Sequence, residues 1–314
     1  GVLALRLPYR PPFDAESLLA YLRQRALPGV EEVTETCYRR TVALPRSRGI
    51  IELEPLAGEH AVLLRVRLDT LRDLSMIVNR CRRLFDLDAA PMAIAGILGS
   101  DPLLEPLVAA RPGLRVPGAV NGFELAVRAI LGQQVTVAGA RTLAGRLVAA
   151  RGEPLEQPSG TLTHYFPTPQ AIAQSDMQGL GLTQARIAAL QSLARAVAGQ
   201  QLALDPDADW QRTTTHLQRI PGIGPWTASY IAMRALGDPD AFPAADLGLR
   251  HACERRGITT LDPRSIERRA DAWRPWRAYA AHHLWASLPP AAPAKQPQRP
   301  RRSTRHTLPL ASSF

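Results

Sequence analysis

The run Leu217-Gln218-Arg219-Ile220-Pro221-Gly222-Ile223-Gly224-Pro225-Trp226-Thr227-Ala228 leaves the backbone very few choices. Proline cannot continue a helix interior and glycine reaches positive φ without steric cost, so Pro221-Gly222 stops the helix that carries Leu217 and Ile220. Pro225 starts the next one, because a proline at the first helical position gives up only an amide that lacks a partner there. The pattern predicts a tight hairpin between two helices, the second running through Tyr230 and Met233 to Leu236-Gly237. Gly222 and Gly224 leave the hairpin amides uncovered beside a helix N-terminus, which suits a phosphate oxygen. An ordinary helical corner would use the same residues.

About twenty residues beyond the hairpin, Asp246 stands in the mostly apolar run Ala244-Ala245-Asp246-Leu247-Gly248-Leu249. An Asp just before a helix is commonly an N-cap. A carboxylate fixed in a dry site also stabilises positive charge developing on a reacting carbon, and it can take a proton from an attacking water. Both roles are open to Asp246.

Upstream, Ser17 to Arg25 has the spacing of a short amphipathic helix. Val33 to Leu44 and Ile50 to Glu54 read as strands, Val62 to Leu68 alternates as a third, and Leu71 to Phe85 follows helical spacing. An antiparallel sheet backed by helices accounts for them. Beyond Pro91 the pattern is helical: Phe123, Val127, Ile130 and Leu131 share a face that ends at Gly132-Gln133-Gln134. Thr183 caps a helix that Gly199 closes, Ser265 caps another, and Pro275 begins the last. Arg151 to Thr168 reads as a Gly/Pro-rich loop.

The chain has 314 residues and a formal charge of +10, which points to a polyanionic partner. Half of that charge sits beyond Pro289, on Lys295, Arg299, Arg301, Arg302 and Arg305, so its distribution matters more than its total. Cys37, Cys81 and Cys253 are too scattered for a disulfide framework or a metal spacing. No apolar run approaches the roughly 20 residues of a membrane span, and nothing resembles a signal peptide, so a cytoplasmic protein without membrane contact is expected.

Pro221-Gly222-Ile223-Gly224-x-x-Thr227-Ala228 followed by Asp246 resembles the helix-hairpin-helix DNA glycosylases. Arg82-Arg83-Leu84-Phe85-Asp86-Leu87, Ala110-Arg111-Pro112-Gly113-Leu114-Arg115 and Phe123-Glu124-x-x-Val127-Arg128-Ala129-Ile130-Leu131-Gly132-Gln133 are similar to 3-methyladenine DNA glycosylase II, the AlkA type. The similarity runs from about Pro11 to Trp285. It implies an α+β protein: a sheet domain over 1–88, a linker and first helix of the C-terminal helical subdomain over 89–118, a helical bundle with the hairpin over 119–230, a helical subdomain carrying Asp246 over 231–288, and a disordered basic tail over 289–314. The active-site cleft is expected between the two helical subdomains. The first residue is Gly rather than Met, as expected of a processed chain or a piece of a longer one; some relatives are fused to a regulatory methyltransferase module.

The resemblance also implies an activity. Such an enzyme flips an alkylated purine out of duplex DNA and hydrolyses its N-glycosidic bond, leaving an abasic site. Asp246 is the implied catalytic residue, and Trp226, Tyr230, Trp285 and Tyr21 the implied walls of a pocket that attracts a cationic base. Gly222, Ile223, Gly224, Thr227, Gln133 and Gln134 are the implied DNA contacts, with Gln134 where the family carries an apolar wedge. No cofactor is required, although the backbone carbonyls of Gln218, Ile220 and Ile223 would hold a sodium or potassium ion. Duplex DNA with alkylated bases is the expected partner and a monomer the expected state. Related enzymes that also cut the backbone carry a nucleophilic lysine where this chain has Trp226. The only lysine present is Lys295, in the tail, so water is the expected nucleophile. A bifunctional oxidised-purine glycosylase and a non-catalytic DNA-binding hairpin module are the alternatives.

Overall fold

The computed structural model describes residues 1–205, 207–258 and 262–289. The N-terminal part is β1 (Leu3–Pro8), α1 (Ala15–Arg25), β2 (Glu31–Val33), β3 (Tyr38–Ala43), β4 (Arg48–Leu56), β5 (Ala61–Leu68) and α2 (Leu74–Leu84). All neighbouring strands pair antiparallel, in the order β1-β5-β4-β3-β2. The inward side chains Leu7, Val42, Ile51, Leu53, Val62, Leu64 and Val66 pack against Leu18, Leu19 and Leu22 of α1 and Ile77, Cys81 and Leu84 of α2.

Two features differ from the expected strands. β1 lies ahead of the predicted start of the sheet. The single strand expected over Val33 to Leu44 is split, because the Thr34 hydroxyl accepts from the amides of Thr36 and Cys37 and so offers the backbone an alternative to the ladder.

The rest is helical apart from one hairpin: α3 (Pro91–Leu98), α4 (Glu105–Ala110), α5 (Gly122–Leu131), α6 (Val137–Arg151), β6 (Pro154–Ser159), β7 (Leu162–His164), α7 (Pro169–Gln174), α8 (Gln184–Ala198), α9 (Trp210–Gln218), α10 (Pro225–Ile231), α11 (Leu247–Glu254), α12 (Pro263–Ala270) and α13 (Arg277–Ala286). The segment expected as a loop therefore contains β6 and β7, whose Thr163 and His164 amides donate to the Gly29 carbonyl at 2.8 and 3.0 Å. Asp262 rather than Ser265 caps α12, since Pro263 already occupies the first helical position. The last helix begins at Arg277 rather than Pro275, after a tight turn in which the Trp276 amide bonds the Trp273 carbonyl at 2.8 Å. Beyond residue 289, the expected tail lies outside the described residues.

The helical part has two apolar cores. One joins Phe123, Ile130, Leu147, Leu190, Leu193, Leu217, Ile223 and Ile231. The other joins Ile94, Leu98, Leu104 and Val116 with Met233, Leu236, Phe242, Leu249, Trp273 and Leu284. A buried ionic network fastens α5 to the sheet. Arg40 meets Glu124 at 2.5 Å, Arg128 meets Glu31 at 2.9 Å and Glu124 at 3.1 Å, and Tyr38 donates its hydroxyl to Glu31 at 2.5 Å. Because α5 ends at the turn Gly132-Gln133-Gln134, this anchor also fixes where that turn stands.

Candidate active site

The hairpin forms as its prolines and glycines dictate. α9 stops at Gln218, Gly222 takes φ +88°, and α10 starts at Pro225 with Gly224 as its N-cap. A Cβ on Gly222 would stand 3.0 Å from the Ala189 side chain, while one on Gly224 would meet nothing within 4 Å. Gly224 thus leaves open space at the N-terminus of α10. Among the described residues, the Gly222 and Gly224 amides donate to no carbonyl. Ile223 turns its side chain into the first helical core.

Thr227 is buried, and its hydroxyl accepts from the Gln133 side-chain amide at 2.9 Å; the same Nε2 donates to the Gly222 carbonyl at 2.8 Å. Gln133, expected to meet DNA, therefore spends its amide on bolting the α5 turn to the hairpin. Arg186 holds its carbonyl at 2.6 Å. Gln134 is the exposed residue of the pair and adopts φ +56°, a left-handed conformation uncommon outside glycine.

Asp246 fills two roles at once. It is the N-cap of α11, Oδ1 accepting from the Leu249 amide at 2.9 Å. The same carboxylate accepts both indole N–H groups, Trp285 Nε1 on Oδ1 and Trp226 Nε1 on Oδ2, each at 2.8 Å. Three N–H donors arriving from α10, α11 and α13 fix its orientation. Gly248 makes this possible, since a Cβ there would lie 2.9 Å from Asp246 Oδ1 and 3.3 Å from Trp285 Nε1.

The remaining rings close around this group. Trp226 and Tyr230 stack with centroids 5.4 Å apart and planes within 5°, and Trp285 stands edge-on to Tyr230 at 6.5 Å. Tyr21 arrives from α1, with its hydroxyl 3.2 Å from that of Tyr230. The four aromatic residues and Asp246 are thus brought together from three helices and one cap.

Three members of the site were missed in the sequence. Gly248 is one; nothing but its neighbours in space marks it. Arg234 is another, one and two helical turns past Tyr230 and Trp226, a spacing that was available but not used. The third is His282, whose ring lies 5.6 Å from Tyr21 and 5.1 Å from Trp285. Burial, and then the nearby charges of Arg234 and Arg25, hold its pKa far below the ordinary imidazole value, so it backs the pocket as a neutral ring.

Comparison with known proteins places this arrangement. The model of the AlkA N-terminal domain matches residues 4–121, and that of the HhH-GPD superfamily base excision DNA repair protein matches residues 127–278. The DNA-3-methyladenine glycosylase 2 of Escherichia coli is 36% identical over 284 residues, covering 89% of this chain and 95% of that protein. The chain belongs to the AlkA type of the HhH-GPD superfamily. A second AlkA-type relative, the probable bifunctional transcriptional activator/DNA repair enzyme AlkA of Mycobacterium tuberculosis, is 48% identical over 92% of this chain. The chain spans 58% of the length of that relative. Among solved structures, the 3-methyladenine DNA-glycosylase from Archaeoglobus fulgidus shares the fold, with a TM-score of 0.78, 21% identity and coverage of 90% of this chain and 97% of that one.

Among the described residues, no group of three or more His, Cys, Asp and Glu side chains could hold a metal ion, and no helix is long and apolar enough to cross a membrane.

Proposed function

We propose that this AlkA-type chain is a monofunctional DNA glycosylase that extrudes alkylated purines of the 3-methyladenine type from duplex DNA and hydrolyses the N-glycosidic bond, in base excision repair. The observation that carries the reading is the Asp246 carboxylate, held by two indole N–H groups and a backbone amide beside the hairpin. As the bond between base and sugar breaks, its electron pair leaves with the base and positive charge grows on the sugar. A carboxylate already oriented stabilises that charge without reorganising, and Oδ2, with a single protein donor, keeps room to accept a proton from water.

A base alkylated on a ring nitrogen is cationic, is attracted to the faces of Tyr21, Tyr230 and the indoles, and departs neutral. The open amides of Gly222 and Gly224 suit a DNA phosphate, which sets register without reading sequence. Gln134, exposed at the turn after α5, would enter the stack left by the extruded nucleotide. A monovalent cation, if bound, would rest on carbonyls of the same hairpin. Those of Gln218 and Ile223 accept no backbone bond among the described residues, and that of Ile220 already accepts from the Ile223 amide at 3.0 Å, so the oxygens fit a hard ion; it would help hold the phosphate. The two helical cores correspond on this reading to two subdomains, with the cleft between them and the enzyme acting as a monomer.

The test is incubation of the chain with duplex DNA carrying 3-methyladenine or 7-methylguanine, with and without borohydride. Free base, an alkali-labile abasic site and no covalent protein–DNA adduct are expected. An adduct would favour the bifunctional alternative, and DNA binding without base release the non-catalytic one.

A further inference from the structure

A cavity of about 410 Å³ opens where α4, α11 and α13 end. Small-molecule sites commonly measure about 300–1,000 Å³. Arg111, Arg255, Arg256 and His283 supply its polar wall, and Leu107 and Leu288 its apolar one. His283 stands two residues before Trp285, and two residues turn a helix by about 200°. The indole therefore reaches Asp246 from one side of α13, while the imidazole enters the cavity from the other. Nothing in the reaction described above uses this place.

Basic residues at a helix end ordinarily offset the partial negative charge of its last carbonyls. Arg111 and Arg255 are the C-caps of α4 and α11, and Arg256 follows, so that role accounts for part of their charge. It does not account for all of it: three helix ends supply roughly −1.5 against three guanidiniums, which leaves the cavity positive. Among the described residues no carboxylate lines it, and Glu254, next to Arg255, pairs with Arg250 at 3.7 Å. The chain after Pro289 brings Lys295 and four arginines without one Asp or Glu, so its charge does not suit the place either. His283 adds a second observation. It is 5% exposed, and its Nδ1 is buried with no hydrogen-bond partner among the described residues. Burial, and then the charge of Arg111, lower its pKa to about 4, so the ring is neutral near pH 7. An unmet polar atom in such a place carries a desolvation cost that a bound ligand would remove.

The chemistry of the walls narrows the ligand. A carboxylate brings one charge and two oxygens, whereas a phosphomonoester brings about two charges and three terminal oxygens for the guanidiniums. Its oxygens accept from Nδ1 in one imidazole tautomer, and its hydroxyl, in the singly charged form, donates to Nδ1 in the other. A DNA diester has neither the second charge nor the hydroxyl. Inorganic phosphate has both but leaves Leu107 and Leu288 uncovered. We propose that the cavity binds a small organic phosphomonoester, its phosphate held by Arg111, Arg255, Arg256 and His283 and its apolar body by Leu107 and Leu288. The site is separate from the Asp246 chemistry and stands whether or not that reading holds.

The experiment is calorimetric titration of the full chain with phenyl phosphate, inorganic phosphate and an undamaged DNA duplex. It is repeated on Arg255→Gln/Arg256→Gln, on His283→Phe and on Asp246→Asn, with thermal melting as a check on folding. Wild type and Asp246→Asn are expected to bind one phenyl phosphate, more tightly than inorganic phosphate. The arginine pair and His283→Phe should each lose about tenfold or more of that affinity, the effect of removing charge-assisted hydrogen bonds or leaving their partner unmet. Duplex affinity should stay the same in the arginine pair. No binding of phenyl phosphate at millimolar concentration would overturn the proposal, as would equal affinity in the arginine pair, which puts the ligand elsewhere. Inorganic phosphate bound as tightly as phenyl phosphate would overturn the organic body. Loss of duplex affinity in the arginine pair, without phenyl phosphate binding to wild type, would assign the cavity to the DNA backbone instead. If His283→Phe does not fold, the arginine pair decides alone, because neither of its side chains is buried.

Discussion

Two buried arginine clusters lie at opposite ends of the chain's interior logic. Beside α5, Arg40 and Arg128 face Glu31 and Glu124, two cations against two anions, with Tyr38 closing the group. Burial alone would raise the Glu31 pKa, but Arg128, then Arg40, and the Tyr38 hydrogen bond lower it overall, so the carboxylate stays ionised in place. At the ring cluster, Arg234 has, among the described residues, only carbonyl and phenol oxygens as partners. A balanced network holds elements together, because every charge is met by another of the same chain. An unbalanced one leaves part of its field directed at whatever enters the pocket.

The contrast breaks most visibly on the balanced side. Glu124→Ala leaves Arg40 and Arg128 buried with one carboxylate between them, and is expected to cost about 3–5 kcal/mol of stability in urea unfolding. A loss under about 1 kcal/mol would mean that water relaxes the cluster and that α5 is not anchored by it. At the site, Trp285→Phe keeps the ring but removes one donor from Asp246, and base release should fall about tenfold with little change in melting temperature. Gly248→Ala crowds the same contact from behind and should move release in the same direction. If neither change slows release, the indole hydrogen bonds do not orient the carboxylate.

The smallest effect expected is a pH dependence. Asp86, from the junction after α2, is partly buried, and desolvation of its carboxyl pushes the pKa up to about 7 although the Tyr279 hydroxyl and the Val116 amide donate to it. Its unfolded value is the ordinary one near 4. Between those two values the folded state holds more protons than the unfolded state, so stability contributed here falls as pH rises from about 4 to about 7. Asp86→Asn has no proton to lose, and its melting temperature should drop less than that of wild type between pH 5 and pH 8. An equal drop in both would assign the pH dependence elsewhere.

Much of this was legible in the residues, and the reason is local. Pro221, Gly222, Gly224 and Pro225 dictate backbone whatever surrounds them, so the hairpin and both of its helices could be read directly. Asp246 could be placed, and the two roles open to it turn out to be compatible: one oxygen caps α11 and both accept from indoles. The direction of those indoles could not be read, because ring faces and ring N–H groups belong to the same side chain and only packing chooses between them. Gly248 is ordinary in its run and becomes necessary only when Trp285 arrives from 37 residues away. Arg234 lies in an apolar helical stretch, and its partners Tyr21 and Pro117 come from more than a hundred residues upstream. Likewise Gln133, a DNA contact implied by the resemblance, donates its amide to the hairpin through a contact 89 residues distant.

The reading turns on whether Asp246 carries the reaction or only caps a helix. Asp246→Asn keeps one acceptor oxygen, enough for the cap and the Trp285 indole, with its amide nitrogen where Oδ2 accepted from Trp226, and it has no charge to set against the sugar. Single-turnover release of an alkylated purine, measured beside binding of the same duplex, separates the two. A loss on the order of 10²-fold or more in release at nearly unchanged DNA affinity is the expected result. Release at the wild-type rate would contradict it.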